Sequence, residues 1–333
     1  MNGLTGERVA GNALKQWARV FTGLTLVFGA SVSIAQNYPV KPVRVVIPWP
    51  TGGANDVVGR IVFQKMSEQL GQHFVIDNRG GASGTIGADF VAKGPADGYT
   101  IMVHSAAHVT NPHLFKKLPY DTLKDFTGIT PLAVQLGVLV VHPSLPVKNT
   151  KEFVALARAR PGQMVYGSSG NGSFVHMAMA LLNNMTGTQM VHVPFKGGGP
   201  AVVALASGEL QAMTATIGSV IPFLSGNRLR ALGVTSAVRL KQFPDIPALA
   251  EGVPGYEFAA WIAAFVPSAT PKSIVDRLNS EIRKALEHPD VVKIMGSQTL
   301  DPMPMSPEQF AARLKSDYDK YERLIKATGA KLD

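Results

Sequence analysis

The chain has no cysteine in its 333 residues. That excludes disulfides, thiolate metal sites, thiol nucleophiles, iron–sulfur clusters and a lipid anchor on cysteine. Charge is also scarce, at 17% Asp, Glu, Lys and Arg. No run of five or more like charges appears and aromatic residues do not interleave with basic ones, so no nucleic-acid partner is expected. The net charge of +9 permits only a weak general attraction for anions. Gly-Lys-Ser/Thr and Gly-x-Gly-x-x-Gly are both missing, which leaves no nucleotide loop and no cofactor to expect. His104 and His108 have i, i+4 spacing, but no Glu follows His104 as in His-Glu-x-x-His, and no third ligand is evident. Metal binding is therefore not expected.

What is present is an apolar, loop-rich chain. With 46% apolar residues it can fill a sizeable core, and 33 Gly and 23 Pro scattered without period point to a globular protein. The first 35 residues form a separate unit. Arg8, Lys15 and Arg19 precede an apolar run from Val20 to Ala35, which ends in Ser33-Ile34-Ala35. A basic start, an apolar centre and a small-x-small end make a secretory signal peptide, with cleavage expected after Ala35. The run falls short of the roughly 20 residues of a membrane span, and no later segment is long and apolar enough to be one. An exported, soluble product is expected.

Beyond it, short β-branched runs alternate with Gly/Ser/Pro loops and helical patterns. Val43–Ile47 reads as a strand; Val57, Val58, Ile61, Val62, Met66 and Leu70 follow at helical spacing, with Gly71 at the C-cap. Phe74–Ile76, Tyr99–His104, Val138–Val141, Met164–Tyr166, Met190–Val193, Ala212–Thr216 and Arg230–Thr235 read as further strands. Helices are expected near Ile86–Lys93, Lys151–Arg160, Phe174–Met185 and Ala201–Ala206, and from Thr270-Pro271 to about Leu286. Ser306-Pro307-Glu308-Gln309 is a capping-box pattern ahead of a helix over Phe310–Ala327. This alternation predicts an α/β protein with parallel layers in two lobes.

Five small-residue loops stand where strands end and helices begin: Thr51–Ala54, Gly81–Thr85, Ser105–Ala107, Ser168–Ser173 and Phe195–Gly199. Helix starts carry orphan N–H groups and partial positive charge, so together such loops predict a cleft closing on a small anion. A secreted serine hydrolase using Ser169 or Ser173 with His176 is the alternative. Gly167-Ser168-Ser169-Gly170-Asn171 lacks the last glycine of a nucleophile elbow, however, and no acid stands out to orient His176.

The same loops carry a resemblance. Val45-Val46-Ile47-Pro48-Trp49-Pro50-Thr51-Gly52-Gly53-Ala54-Asn55-Asp56 resembles the opening signature of the solute receptors of tripartite tricarboxylate transporters, the Bug family. Asp77–Gly81, Asp97–Thr100, Asn111–Phe115, Leu118–Asp121, Tyr166–Ser173, His192–Gly197 and Gly252–Tyr256 continue the likeness along the mature chain. The resemblance implies a type II periplasmic binding protein: two lobes, each a mostly parallel sheet flanked by helices, joined by two hinge crossings near Val138–His142 and Glu257–Pro267. Lobe one would comprise 36–139 and 260–333, lobe two 140–259.

By position, Thr51, Gly52, Gly53 and Ala54 would clamp a ligand carboxylate from lobe one, with Asp56 ordering the loop. Ser168, Ser169, Gly170, Asn171 and Ser173 would clamp it from lobe two. Ser105, Phe195, Thr216 and Trp49 would line the pocket, Trp49 being equally suited to the core. Relatives that bind amino acids place an Asp after the strand matching Ala212–Thr214; here Ala215 and Thr216 follow. The implied ligand is thus a small organic mono- or dicarboxylate without an amino group. The implied partner is a membrane permease of the tripartite type or a sensor kinase, and the implied protein a periplasmic monomer.

Overall fold

The computed structural model describes residues 38–328. The expected signal peptide and its cleavage point lie outside the described residues. Among those described, no helix is long and apolar enough to cross a membrane.

The chain begins with alternation of strand and helix. Strand β1 (Val43–Ile47) leads into helix α1 (Ala54–Leu70), then β2 (Phe74–Asn78), α2 (Thr85–Ala92), β3 (Thr100–Ser105), α3 (Ala107–Leu114) and β4 (Phe126–Gln135). The chain then enters a second series: β5 (Gly137–Val141), α4 (Thr150–Ala159), β6 (Val165–Ser168), α5 (Phe174–Thr186), β7 (Val191–Pro194), α6 (Gly198–Ala206), β8 (Ala212–Thr216), α7 (Ile217–Ser225) and β9 (Arg230–Val234). It returns through β10 (Ala260–Pro267), α8 (Lys272–Glu287), α9 (Pro289–Ser297), β11 (Asp301–Pro302) and α10 (Pro307–Thr328).

Two sheets result. The first has six strands in the order β11-β4-β10-β3-β1-β2, the second five in the order β7-β6-β8-β5-β9. Both are mixed. β1 pairs in parallel with β2 and β3, and β6 with β7 and β8, but β10 is antiparallel to β3 and β4, and β5 to β8 and β9. The reversed strands have a topological cause. A strand reached through a crossover helix runs parallel to its predecessor. β5 and β10 instead arrive directly from the other sheet, and each enters its new sheet against the grain. The passage between sheets falls at Leu136 in one direction and between Val234 and Ala260 in the other. The expected segments Val138–His142 and Glu257–Pro267 thus fall largely within β5 and β10.

Strand alternation sends side chains to two faces. From β1, Val43, Val45 and Ile47 join Val58, Val62, Phe63 and Met66 of α1, and Ile274, Leu278 and Ile282 of α8, in one core. Val46 faces the other way, into a larger core that includes Trp261, Phe265 and Phe310 and continues through the second sheet. β10 is buried along its whole length, as a central strand with helices on both faces must be. Helix ends follow local chemistry: Gly71 and Gly187 take left-handed φ values of 63° and 65° at their C-caps. Ser306 and Gln309 form the reciprocal cap of α10, the Ser306 N–H donating to Gln309 Oε1 (2.9 Å) and the Gln309 N–H to Ser306 Oγ (3.2 Å).

Five elements were not expected: α3, β4, α7, α9 and the two-residue β11. α3 contains Pro112, which cannot donate to the His108 carbonyl; the Thr122 hydroxyl donates to that oxygen instead, at 3.3 Å. β4 contains Pro131, placed where the pairing with β10 slips between Ile262 and Ala263, so the ladder tolerates the missing N–H. α9 follows α8 almost at once, with Pro289 at its first position and the His288 side chain accepting from the Asp290 N–H.

Candidate functional site

A cavity of about 290 Å³ lies between the two sheets' loops. Its walls come from the starts of four helices: Thr51–Asn55 before and in α1, Ser173–Val175 at α5, Gly197–Pro200 at α6, and Thr216 with Ser219 at α7. None of the residues lining it carries a charge, and the remaining walls are Ser105, Ser169, Gln135, Trp49, Pro50, Val202, Met213 and Ala215.

The local sequence explains why the helix starts stay available. α1, α6 and α7 begin at Gly53, Gly197 and Thr216 without a side-chain cap. Their first-turn N–H groups have no i−4 partner within the helix, and each start contributes about half a positive elementary charge. α5 differs, because Ser173 Oγ accepts the His176 N–H at 3.3 Å. Ser173 therefore both caps its helix and lines the cavity.

Asp56 lies on the far side of the first loop. Its Oδ2 accepts from the Gly52 N–H and from Arg60 Nε, and its Oδ1 from Asn78 Nδ2, each at 2.9 Å. Burial works to raise its pKa, but hydrogen bonds from Arg60, Gly52 and Asn78 outweigh that and hold it below the usual value. Asn78 extends the network, donating also to the Trp49 carbonyl at 3.1 Å and accepting from the Thr51 hydroxyl at 3.2 Å. Asp56 thus shapes the loop without lining the cavity. The network also consumes one expected donor: the Gly52 N–H points at Asp56, while the Gly53 N–H turns to the Pro50 carbonyl at 3.3 Å. The Thr51 hydroxyl is likewise given to Asn78, so of the first loop the Ala54 and Asn55 amides remain.

The second expected clamp divides. Ser169 and Ser173 line the cavity. Ser168 is fully buried, its hydroxyl 2.6 Å from His192 Nε2 and accepting the Gly170 N–H at 3.1 Å. The Asn171 carbonyl accepts the Ser83 hydroxyl at 2.7 Å, joining the second sheet's loop to the first's. Gly170 and Phe195 line a neighbouring pocket with Gly80–Gly84 and Lys196, which shares Trp49, Pro50, Ser169 and Gly197 with the main cavity. Ser105, Thr216 and Trp49 line the main cavity. Trp49 is also a core residue, 7% exposed, with its Nε1 donating to His104 Nδ1 at 3.3 Å.

Sequence reasoning missed Asn55, Gln135, Phe174, Val202, Met213 and Ser219 in the lining. A signal existed for Gln135, the one polar side chain between Pro131 and Val141. The apolar wall residues gave none, since any core strand or helix carries the same residue types.

The geometry also bears on the serine–histidine pairing. His176 Nδ1 accepts the Gly172 N–H at 3.0 Å, and its ring stacks on His192 with centroids 3.9 Å apart. Burial lowers the pKa of His176 to about 3, with the neighbouring His192 adding to the effect, and burial lowers His192 to about 4. Neither Ser169 nor Ser173 hydrogen-bonds to an imidazole ring, and Ser173 is spent on its own helix.

Residues 58–330 match the family described as Tripartite tricarboxylate transporter family receptor. The chain belongs to that family. This receptor is 38% identical over 312 residues to a UPF0065 protein in the tcbD-tcbE intergenic region of Pseudomonas sp. (strain P51), covering 92% of this chain and 93% of that one. It is 33% identical over 301 residues to the protein BugT of Bordetella pertussis, covering 90% and 92%. Among solved structures, R. palustris Rpa4515 with adipate superposes with a TM-score of 0.85 at 35% identity, covering 89% of this chain and all (100%) of that one. MatC of Rhodopseudomonas palustris with bound malate gives 0.81 at 31% identity, covering 86% and 100%. The receptor therefore has the two-lobed α/β fold of periplasmic binding proteins.

Proposed function

We propose that this receptor captures a small organic carboxylate without an amino group in the periplasm, closing its lobes over it. It would then deliver the acid to a tripartite-type permease or present it to a sensor kinase. The observation that carries the reading is the convergence of four helix starts on one cavity whose lining has no charged side chain. Such a cavity is electropositive through backbone dipoles alone, which suits a carboxylate. It suits an ammonium poorly: with Ala215 and Thr216 in place of an acid, a desolvated cation would have no counter-charge, at a cost of several kcal/mol.

Adipate and malate, the ligands of two structural neighbours, are acids of this class. A cavity of about 290 Å³ is near the small end of ligand pockets, roughly 300–1,000 Å³, and fits molecules of that size. Binding across the two crossings supports closure as the working motion. The role is capture by a monomer without cofactor or bond-making chemistry, and the histidine geometry lends the hydrolase alternative no support. Titration calorimetry with succinate, malate and adipate beside aspartate and glutamate tests the reading. Binding confined to the acids without an amino group is expected; preference for the amino acids would overturn it.

A further inference from the structure

The lining holds two side-chain amides, Gln135 and Asn55, each 6% exposed. Both have a buried oxygen, Oε1 or Oδ1, without a hydrogen-bond partner. Folding normally pairs such groups, and leaving them unpaired is destabilising. Since the oxygens are shut off from the cavity that both residues line, the amide nitrogens are the ends left facing it. Two donors are thereby held ready beside a cavity lined by no charged side chain.

The positions differ in kind. Asn55 belongs to the first turn of α1, next to a helix start that can hold a carboxylate directly. Gln135 is remote from any helix start. It is the last residue of β4, paired with Ala260 at the head of β10. Both passages between the sheets adjoin this point. Two residues on, Gly137 is pinned at both ends by Thr235, its N–H donating to Thr235 Oγ1 at 2.9 Å and its carbonyl accepting the Thr235 N–H at 2.8 Å. A ligand group bonded to Gln135 therefore touches the crossing itself.

Charge balance indicates what that group is. Four helix starts at about half an elementary charge each supply about two positive charges, which balances a dianion better than a monoanion. We infer that Gln135 is a specificity-determining residue whose amide nitrogen donates to a second carboxylate, making this receptor selective for dicarboxylates over monocarboxylates. The inference rests on the carboxylate reading above and goes beyond it by naming the group read and the residue that reads it.

The test titrates the full receptor and its Gln135→Met and Gln135→Glu variants with succinate, malate and adipate, using butyrate and hexanoate as one-carboxylate counterparts. The wild type should prefer the diacids. Gln135→Met should weaken them by about ten- to hundredfold, the worth of a hydrogen bond to a charged group, and weaken the monoacids far less. Gln135→Glu, of the same shape, should weaken the diacids further by opposing carboxylate with carboxylate, and it carries the test should the Met variant fold poorly. The ligand-free Gln135→Met protein should melt no lower than wild type, because an unpaired buried oxygen has been removed; a merely structural glutamine would lower it. Wild-type preference for diacids, unchanged in both variants or lost equally for diacids and monoacids, overturns the role of Gln135 alone. Wild-type preference for monoacids overturns the diacid inference while leaving carboxylate binding intact. Failure of the wild type to bind any of the five acids overturns both.

Discussion

Replacing Asp56 with alanine should unhinge the first loop without touching the ligand. The carboxylate accepts three hydrogen bonds at 2.9 Å, from Gly52, Arg60 and Asn78, and its side chain is only 3% exposed. Hydrogen bonds to a charged group contribute about 1.5–3 kcal/mol each, so the two inner bonds to Gly52 and Asn78 give about 3–6 kcal/mol together. The Arg60 side chain is 49% exposed, and its share is screened to at most about 1 kcal/mol. Urea unfolding of wild type and Asp56→Ala at pH 7 measures the difference, and calorimetry on the folded fraction measures the loss of carboxylate affinity.

The pH dependence sharpens the test. Asp56 has a lowered pKa in the fold, so its contribution is complete above the unfolded value of about 3.9 and is lost as pH falls through the folded value. The gap between wild type and variant should therefore close in acid. A gap below about 1 kcal/mol at pH 7, or one unchanged at pH 2, would refute the view that this carboxylate holds the loop.

Two other substitutions probe the crossing and the closed state. At Gly137 an added Cβ would lie 2.8 Å from the Phe174 ring, 2.9 Å from Thr214 Cγ2 and 3.0 Å from the Ala215 carbonyl; Gly137→Ala should cost about 1–3 kcal/mol in thermal unfolding and weaken ligand binding with it. Wild-type stability there would mean the crossing yields freely. Ser83→Ala removes the hydroxyl that donates to the Asn171 carbonyl at 2.7 Å between the two lobes, so ligand affinity should fall by about two- to tenfold, with small-angle scattering showing a more open ligand-free protein. Unchanged affinity and scattering would remove that contact from the closing motion.

Local chemistry made much of the fold legible. β1, its glycine-rich loop and α1 follow from alternation, turn residues and helical spacing, and Gly71, Gly187 and the Ser306–Gln309 cap end or start helices as their residue types require. β4 and α3 were hidden because each contains a proline, and the partners that tolerate it, a slipped register and the Thr122 hydroxyl, become neighbours only in the fold. The candidate site divides in the same way. Thr51 and Ser169 could be named because glycine-rich loops announce helix starts, and Thr216 because its position matches the family's pattern. Gly52 and Gly53 also flank the cavity, yet their amides are bound to Asp56 and Pro50, a choice made by the turn and by the network around Asn78. Gln135 and Met213 reach the cavity only through pairing of distant strands, which no local pattern encodes.

Ligand capture depends most on backbone dipoles gripping a charged ligand in a cavity without charged side chains. Calorimetric titration with adipate and with adipamide, its uncharged counterpart of the same chain length, separates charge from shape. Binding of adipate with no detectable binding of adipamide is expected; equal affinity for the two would contradict the account.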